Sequence, residues 1–440
     1  MHRLALVAAV LAILTSSFDI LLVVQAGGNY RFCQVVTLVL IALAILRVAR
    51  GVKMQVLGAV PLCLWLLVQA LFIPVSGFWP KSLGYCFWLL LNVALVFSFV
   101  YLFSDNRRTL ITLLRWYAWS FAVVAGFGII QFCLPLLGWG APLITQWWIP
   151  DVLPRVNGLS YEPSYFATYL LIGFVFVGSL RRANSKLLPC KTLLGIYWLT
   201  LIGIVLSSSR MGIVFLFAEI FLAQFRVWQS FLKDFLRFKF VLSKLRPLVP
   251  SLLSITVIAA TAAGTLNALE NNPALMLMFL NGTGISNTAA HSVIERENSL
   301  EDTLRVFIEH PLIGQGLGGV SSAIGDLYGE KVQSFEASKD FEGMSVFAEV
   351  LAASGVIGVI PFVFFLVATI RKPLKLARTA APLDASLLRS LVRSLVFAWA
   401  ILQFNQNLLR PYLWLHLAIL VTVYAAAVRP VACCGCSAGR

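Results

Sequence analysis

Long apolar runs recur along the whole chain and constrain its fold more than any other feature. A helix needs about 20 apolar residues to cross a bilayer, and twelve segments approach that length. Only 12% of the 440 residues are charged, about half the share in soluble domains, which excludes soluble enzymes, disulfide scaffolds and disordered proteins. We therefore predict an all-α polytopic integral membrane protein with about twelve transmembrane helices. The segments are Leu4–Val24, Phe32–Leu46, Gln55–Val75, Tyr85–Phe103, Leu110–Leu136, Tyr165–Leu180, Thr192–Ser207, Met211–Phe225, Leu248–Leu266, Met344–Ile370, Leu387–Phe404 and Pro411–Val428.

The basic residues divide unevenly between the two sides of such a bundle. With a cytoplasmic N-terminus, 25 of the 34 Lys and Arg residues lie in inner connections or near inner span ends, as the positive-inside rule requires. The net charge of +15 is therefore a consequence of topology and predicts no nucleic-acid partner. We expect both termini in the cytoplasm. The nine outer basic residues are Arg31, Lys81, Arg155, Arg210, Arg296, Arg305, Lys331, Lys339 and Arg410.

One outer connection is long enough to fold. It covers residues 267–343 and holds 11 of the 19 acidic residues. Apolar residues at spacings of three and four predict a helix near Leu300–Ile308, with Ser299 and Asp302 as its capping box. His310-Pro311 ends this helix, and a glycine-rich run over 314–319 follows. We predict transmembrane helices one to nine in 1–266, a large outer loop with an active-site helix in 267–343, and the last three helices with a cytoplasmic tail in 344–440.

Three further polar segments lie on the same outer side. They are the aromatic connection 138–164, the Ser-rich turn 207–212 and residues 403–410, which include Asn405 and Arg410. Arginine offers planar, permanently charged donors for phosphate. Arg155, Arg210, Arg305 and Arg410 are therefore candidates to clamp a diphosphate.

Glu162 and His310 are the residue types that can take a proton from an acceptor hydroxyl. Gly316 and Gly319 allow the backbone to approach a sugar or an anion closely, and Asn405 could support a glycan. The isolated histidines and the lack of an Asp-x-Asp pair predict no metal.

Each candidate also has a structural explanation. Arg305 has Glu301 and Glu309 at helical spacing for an ion pair, His310 could cap a helix, and Arg210 could anchor the chain at the membrane interface. Glu162 could cap the sixth span. Asp19, Glu219 and Glu349 fall inside apolar spans, where ionisable groups are usually functional, but the sequence identifies no partner for them.

Together these motifs resemble the O-antigen ligase and O-antigen polymerase superfamily. The residues that carry the resemblance are Arg155 followed by Tyr161-Glu162-Pro163-Ser164-Tyr165-Phe166-Ala167, the turn Ser207-Ser208-Ser209-Arg210-Met211-Gly212, and Arg305 with the run from His310 to Gly318. The resemblance covers most of the chain, from about the fifth to the eleventh span.

The resemblance implies a metal-independent glycosyltransferase with a GT-C-like helical fold and no cofactor. Such enzymes take glycan from undecaprenyl diphosphate at the periplasmic face of the bacterial inner membrane. Arg210 and Arg305 match the family arginines that hold the diphosphate, and His310 matches a late-loop histidine of the ligases. Arg305 to Gly316 also fits the Arg-x10-Gly pattern of polymerase loops, whereas Arg155 departs from it because position 166 is phenylalanine.

Three functions compete at this stage. The Glu-Pro-Ser segment favours a polymerase of O-antigen or exopolysaccharide repeat units, whose partners would be membrane lipid, the lipid-linked oligosaccharide, a glycan acceptor and a chain-length regulator. The alternative is a ligase that transfers glycan to lipid A–core or to protein. A lipid-linked oligosaccharide flippase is the more distant alternative. Transporters show internal repeats and polar midplane residues, whereas this sequence shows no repeat and its polar residues gather at one outer face.

Overall fold

The computed structural model describes residues 1–25, 29–149, 151, 153–236, 256, 260, 287–404 and 408–429. Two sequence predictions fall outside these residues. They are Asn405 as a glycan-supporting residue and most of the ninth span, Leu248–Leu266.

The described chain is built of α-helices with two short hairpins. The hairpins are β1 (Val23–Gln25) with β2 (Asn29–Arg31), and β3 (Gln146–Ile149) with β4 (Leu153–Arg155), both antiparallel. Short 3-10 turns follow α3, precede α11 and follow α12. The helices are α1 (His2–Thr15), α2 (Phe32–Ala49), α3 (Ala59–Leu71), α4 (Trp79–Phe103), α5 (Arg107–Leu136), α6 (Pro163–Arg182), α7 (Cys190–Leu206), α8 (Arg210–Leu236), α9 (Asn287–Glu309), α10 (Val320–Leu327), α11 (Val346–Leu376), α12 (Pro382–Ile401) and α13 (Pro411–Val428).

The polytopic all-α fold is confirmed. Seven described helices are long and apolar enough to cross a membrane, namely α2, α4, α5, α6, α11, α12 and α13, and three shorter apolar helices are α1, α3 and α7. With α8, they match eleven of the twelve predicted segments. The last predicted span coincides with α13 at both ends.

The first predicted span is wrong at its C-terminal end. The sequence predicts a helix up to Val24, but α1 ends at Thr15 and the chain continues in non-helical conformation to the β1–β2 hairpin. Asp19 lies in this non-helical part and bonds to residues from distant segments. Contacts of this kind cannot be predicted from the hydropathy of the segment itself.

Helix starts follow the local sequence. Proline, which lacks the N–H that a first turn leaves unsatisfied, begins α6, α12 and α13. The Asn106 side chain accepts a hydrogen bond from the Thr109 N–H at the start of α5 (3.1 Å). The most buried helices are α6, α12 and α13, and α6 packs against α7 and α12.

Ion pairs tie the connections together at one end of the bundle. Asp105 bonds to Arg47 and Arg429, and Arg107 donates two hydrogen bonds of 2.9 Å to Asp384. We call this the N-terminal end, where Met1 also lies. The opposite end is called the loop end and holds the described residues of the connections 16–31, 137–162, 207–209, 310–345 and 402–410.

The described part of the long loop is folded. Its predicted helix is confirmed as part of α9, which ends at Glu309, directly before His310-Pro311. The predicted capping box is wrong, because α9 already begins at Asn287 and Ser299 lies inside it. The Ser299 hydroxyl instead donates to the backbone oxygen of Glu342 (3.0 Å), which holds the end of the loop against α9.

Candidate functional site

Two arginines share one buried carboxylate at the loop end. Arg31 Nε lies 2.6 Å from Asp19 Oδ1, and Arg410 Nη1 lies 2.7 Å from Asp19 Oδ2. The Asp19 side chain is only 4% exposed. Because the cluster holds two cations and one anion, it carries a net positive charge.

The electrostatics differ between the two arginines. Burial lowers the pKa of Arg31, and the Asp19 carboxylate opposes that effect. Burial is the largest single effect on Arg410 and acts to lower its pKa, but Asp19, Tyr165 and Tyr412 together outweigh burial, so the pKa of Arg410 is raised. Arginine has an ordinary pKa far above neutrality, so both side chains stay charged.

Backbone contacts hold Asp19 in place. Its N–H donates to the Leu159 oxygen (2.8 Å), and the Ser160 hydroxyl donates to the Ser17 oxygen (3.2 Å). The 157–160 turn is itself fixed by Gln131, whose amide donates to the Gly158 oxygen (2.9 Å). The connection that carries Arg155 and Glu162 is thus packed against the segment that carries Asp19.

The Glu-Pro-Ser-Tyr segment contributes an aromatic wall. Glu162 is the residue before α6, and the Ser164 hydroxyl donates to its carboxylate (2.9 Å). One turn on, the guanidinium carbon of Arg410 lies 3.9 Å from the centroid of the Tyr165 ring, a cation–π geometry. Tyr165 therefore fixes the plane of Arg410.

Arg31, Tyr165 and Arg410 line a cavity of about 260 Å³. Both arginines reach it, and so do two carboxylates, Glu342 and Glu349. Glu342 accepts hydrogen bonds from Lys81 (3.0 Å) and Tyr85 (3.2 Å), while Glu349 is 3% exposed in the first turn of α11. The lining residues are Arg31, Gln34, Tyr85, Trp88, Tyr165, Leu317, Glu342, Glu349, Leu408, Leu409 and Arg410.

The glycine-rich run is inserted into a break in α11. At Gly355 the backbone adopts φ 55° and ψ −171°, which interrupts the helix. The loop pairs with the two sides of this break, because Val356 N–H donates to the Pro311 oxygen (2.9 Å) and Gly316 N–H donates to the Ala353 oxygen (2.9 Å). A Cβ on Gly355 would overlap the backbone oxygen of Leu312, so this approach needs glycine.

Gln69 of α3 completes this junction. Its Nε2 donates to the Ser354 hydroxyl (2.5 Å), and its Oε1 accepts from the Leu317 N–H (3.1 Å). The insertion thereby positions Leu317 on the cavity wall.

Of the residues predicted from the sequence, Arg410 lines the cavity. Gly316, at φ 76°, and Gly319 lie in the inserted loop, packed against the backbone near Phe72 and against Ser76. Glu162 lies half-buried three residues before Tyr165.

The other predicted residues lie outside the cavity lining. Arg155 is in β4, where it donates to the Gln146 side chain (2.8 Å) and lies over the Trp148 ring. Arg210 is the exposed first residue of α8. Arg305 is exposed and bonds to Glu301 (2.6 Å), and His310 is exposed just after α9.

Sequence reasoning did not bring Arg31, Lys81 and Glu342 into the site. For Arg31 the sequence did contain a signal. Asp19 ends one apolar run and Arg31 precedes the next, so two antiparallel helices would bring both residues to the same end of the bundle. The bonds of Lys81 to Ser321, Ser338 and Glu342 (3.0–3.1 Å) join residues far apart in sequence and had no such signal.

No curated protein matches the chain. A family model described as O-antigen ligase matches residues 195–363, from α7 into α11. The matched part contains Arg210, Arg305, His310 and both cavity carboxylates, while Arg31 and Arg410 lie outside it. Residues 195–363 thus carry a domain of the O-antigen ligase family, which confirms the resemblance to the O-antigen ligase and O-antigen polymerase superfamily.

Proposed function

We propose that this membrane protein is a glycosyltransferase that takes glycan from undecaprenyl diphosphate and polymerises O-antigen or exopolysaccharide repeat units. The observation that carries the proposal is the cavity in which Arg31 and Arg410 share Asp19. It lies at the end of the bundle where the glycine-rich loop of the ligase-type domain inserts.

The two arginines suit a diphosphate leaving group. Asp19 neutralises one of the two positive charges, so the cluster keeps a net charge for an anion and stays rigid. Negative charge grows on the diphosphate as the sugar departs, and fixed cations stabilise that charge. The cavity, at about 260 Å³, is smaller than pockets that enclose drug-sized ligands, so it fits the diphosphate group rather than the whole glycan.

The reaction also needs a base. The acceptor hydroxyl oxygen bonds to the anomeric carbon, the bond from that carbon to the diphosphate oxygen breaks, and the diphosphate leaves with the electron pair. The hydroxyl proton passes to a carboxylate or imidazole. The cavity adds Glu349 to the sequence candidates Glu162 and His310, since Glu349 shares the cavity with both arginines.

The remaining predicted residues have supporting roles in the proposal. Arg210 and Arg305 bind the lipid diphosphate as it enters, Arg155 contacts the glycan or its phosphate, and Gly316, Gly319 and Asn405 support the loops. Both Arg210 and Arg305 are exposed, which suits a role in capture before the reaction. The proposal uses no metal, so chelators should leave transfer intact.

A ligase is the second candidate, because the matching family model is described as O-antigen ligase. In that case lipid A–core or a protein is the acceptor. The same cavity serves both reactions, since polymerase and ligase share the diphosphate leaving group.

Gel analysis of surface and lipid-linked glycan from a deletion strain separates the candidates. Loss of a polymerase leaves single repeat units on the acceptor and removes the ladder. Loss of a ligase leaves long lipid-linked polymer that is not transferred. Single units trapped on the cytoplasmic face would instead indicate a flippase and contradict the proposal.

Complementation with single variants tests the base. We expect Glu349→Gln to abolish chain growth at normal protein level, with Glu309→Gln as a matched control on the exposed end of α9. If Glu349→Gln kept normal chains while Glu162→Gln or His310→Ala lost them, the base would be one of those two residues.

The location belongs to the same proposal. The chain lies in the bacterial inner membrane with both termini cytoplasmic, the loop end faces the periplasm, and residues 267–343 form a periplasmic loop. Basic residues at the N-terminal end, such as Arg47, Arg107 and Arg429, support this orientation. Labelling of single cysteines with an impermeant reagent should modify Ser334→Cys in intact cells and leave Arg50→Cys unmodified.

A further inference from the structure

A second cluster of charges lies inside the bundle, outside the proposed site. Glu219 of α8 is 1% exposed and bonds to Arg182 of α6 (2.6 Å) and to Arg393 of α12 (2.8 Å). Ionisable groups at such depth are costly and usually mark a function. The sequence identified no partner for Glu219, but the structure shows two arginine partners.

The arginines of this cluster face a groove between α6, α8, α11 and α12. The groove has a volume of about 670 Å³, and Arg389 also lines it, one turn before Arg393 on α12. The guanidinium of Arg389 donates to the backbone oxygen of Ala377 (2.7 Å) and is otherwise exposed. The described residues that line the groove include no acidic side chain.

The charge in the groove is therefore incompletely balanced. Three arginines line the groove, and a single carboxylate, Glu219, bonds to two of them, which leaves about two positive charges. The groove opens near the N-terminal end, because Arg182 ends α6 and α12 begins seven residues before Arg389. A ligand that satisfies this groove must carry negative charge.

The remaining walls are apolar. Leu222, Leu374 and Val396 are 53%, 39% and 44% exposed and border the groove. Leu374 and Val396 lie on α11 and α12, which are long and apolar enough to cross a membrane, so their exposed side chains suit contact with lipid chains. Such walls suit an acyl chain and disfavour a small, fully hydrated anion.

We propose that this groove binds an anionic phospholipid. Arg389 and Arg393 bind its phosphate, the hydroxyls of Ser179 and Ser390 contact its headgroup, and Leu222, Leu374 and Val396 contact its acyl chain. Basic pockets between transmembrane helices recognise anionic lipid headgroups in this way. Arg182 and Glu219 fix the position of Arg393.

Native mass spectrometry of the purified full-length chain tests the proposal. With phosphatidylglycerol or phosphatidylcholine added in equal amounts, only the first should stay bound in a defined stoichiometry. Arg389→Gln should weaken phosphatidylglycerol binding about fivefold, the usual effect of one basic residue at an anionic lipid. Arg50→Gln makes the same charge change directly after α2, whose helix neighbours are α1 and α4, and should leave binding unchanged.

Three results would overturn the proposal. They are equal binding of phosphatidylcholine, an Arg389→Gln affinity equal to that of the unsubstituted chain, and displacement of the phospholipid by inorganic phosphate at equal phosphate concentration. The last would indicate an anion site rather than a lipid site. If Arg389→Gln fails to fold, the salt dependence of the unsubstituted chain tests the proposal instead. Its affinity for phosphatidylglycerol should fall as the salt concentration rises. An affinity independent of salt would contradict the proposal.

Discussion

The two ends of the bundle use the same ion-pair arrangement in different surroundings. At the loop end Asp19 bonds to Arg31 and Arg410, and towards the N-terminal end Glu219 bonds to Arg182 and Arg393. Both acids are almost fully buried, and in both cases the two arginines come from different helices or their flanks.

The neighbours of the two clusters differ. The Asp19 cluster lines a cavity with two further carboxylates and two tyrosines, which are groups that can orient a substrate and accept a proton. The Glu219 cluster borders an apolar groove with serine hydroxyls and no described acid. The comparison indicates that an Arg–acid–Arg cluster with a buried acid supplies a fixed positive charge, and that its neighbours determine whether chemistry or binding uses that charge.

The largest expected effect comes from removing either shared acid. Asp19→Asn or Glu219→Gln leaves two partly exposed arginines without their buried anion. Loss of one partner of a fully buried pair costs about 3–5 kcal/mol, and solvent around the arginines reduces that cost, so we expect a loss near the lower end of this range. Thermal unfolding in detergent measures this loss. Inorganic pyrophosphate should restore more of the stability of Asp19→Asn, whereas phosphatidylglycerol should restore more of that of Glu219→Gln.

The comparison would be contradicted if pyrophosphate restored more stability to Glu219→Gln and phosphatidylglycerol restored more to Asp19→Asn. Equal rescue of both variants by pyrophosphate would show that the clusters are general anion sites. Glu336→Gln, which breaks the exposed pair with Lys339, controls for the charge change and should leave the melting temperature nearly unchanged.

The second effect concerns transfer itself. Arg410→Ala removes a cation from the cavity and should slow glycan transfer about 100- to 1,000-fold, the usual cost of one fixed group that stabilises transition-state charge. Arg107→Ala removes an ion-paired arginine at the N-terminal end and should keep the normal rate. Transfer from purified lipid-linked donor per amount of folded protein measures both rates.

Arg410→Lys refines this test. Lysine keeps the charge but loses the planar guanidinium that stacks on Tyr165 and bonds to Asp19, so we expect an intermediate rate. A normal rate for Arg410→Ala would remove the cavity from the proposed mechanism.

The third effect concerns how the loop end is built. Gly355→Ala places a Cβ where the Leu312 backbone lies, at a positive φ that alanine rarely adopts, and should destabilise the protein by about 1–3 kcal/mol. Gly126→Ala in α5, where a Cβ meets nothing, should have no cost or add up to about 1 kcal/mol of stability. Thermal unfolding checks both, and a stable Gly355→Ala would show that the break in α11 is not needed for the loop to insert.

Hydropathy predicted most of the fold because each span is a local property. Eleven predicted segments correspond to helices, and α13 matches its segment at both ends. The prediction failed at the end of α1, where the partners of Asp19 lie 12 and 391 residues away. A capping box at Ser299 failed for the same reason, since that hydroxyl bonds to the end of its own loop.

The candidate site was less predictable than the fold. Residue type and membrane side were enough to select Arg410, and the same reasoning selected Arg155, Arg210 and Arg305, which lie outside the cavity lining. Which arginine meets which acid depends on tertiary packing. The sequence indicated Asp19 and Glu219 as charges inside apolar runs, but only the packed helices identify Arg410 and Arg393 among their partners.

The smallest effect comes from an exposed pair that serves as the reference for the two buried clusters. Arg305 and Glu301 lie 2.6 Å apart on one face of α9, but their side chains are 59% and 61% exposed. Water screens such a pair, so Glu301→Gln should change stability by less than about 0.5 kcal/mol. If Arg305 captures diphosphate as proposed, freeing it from Glu301 should keep or raise transfer at low donor concentration. If Glu301→Gln lost as much stability as Asp19→Asn, burial would not explain the difference in stability expected between exposed and buried ion pairs.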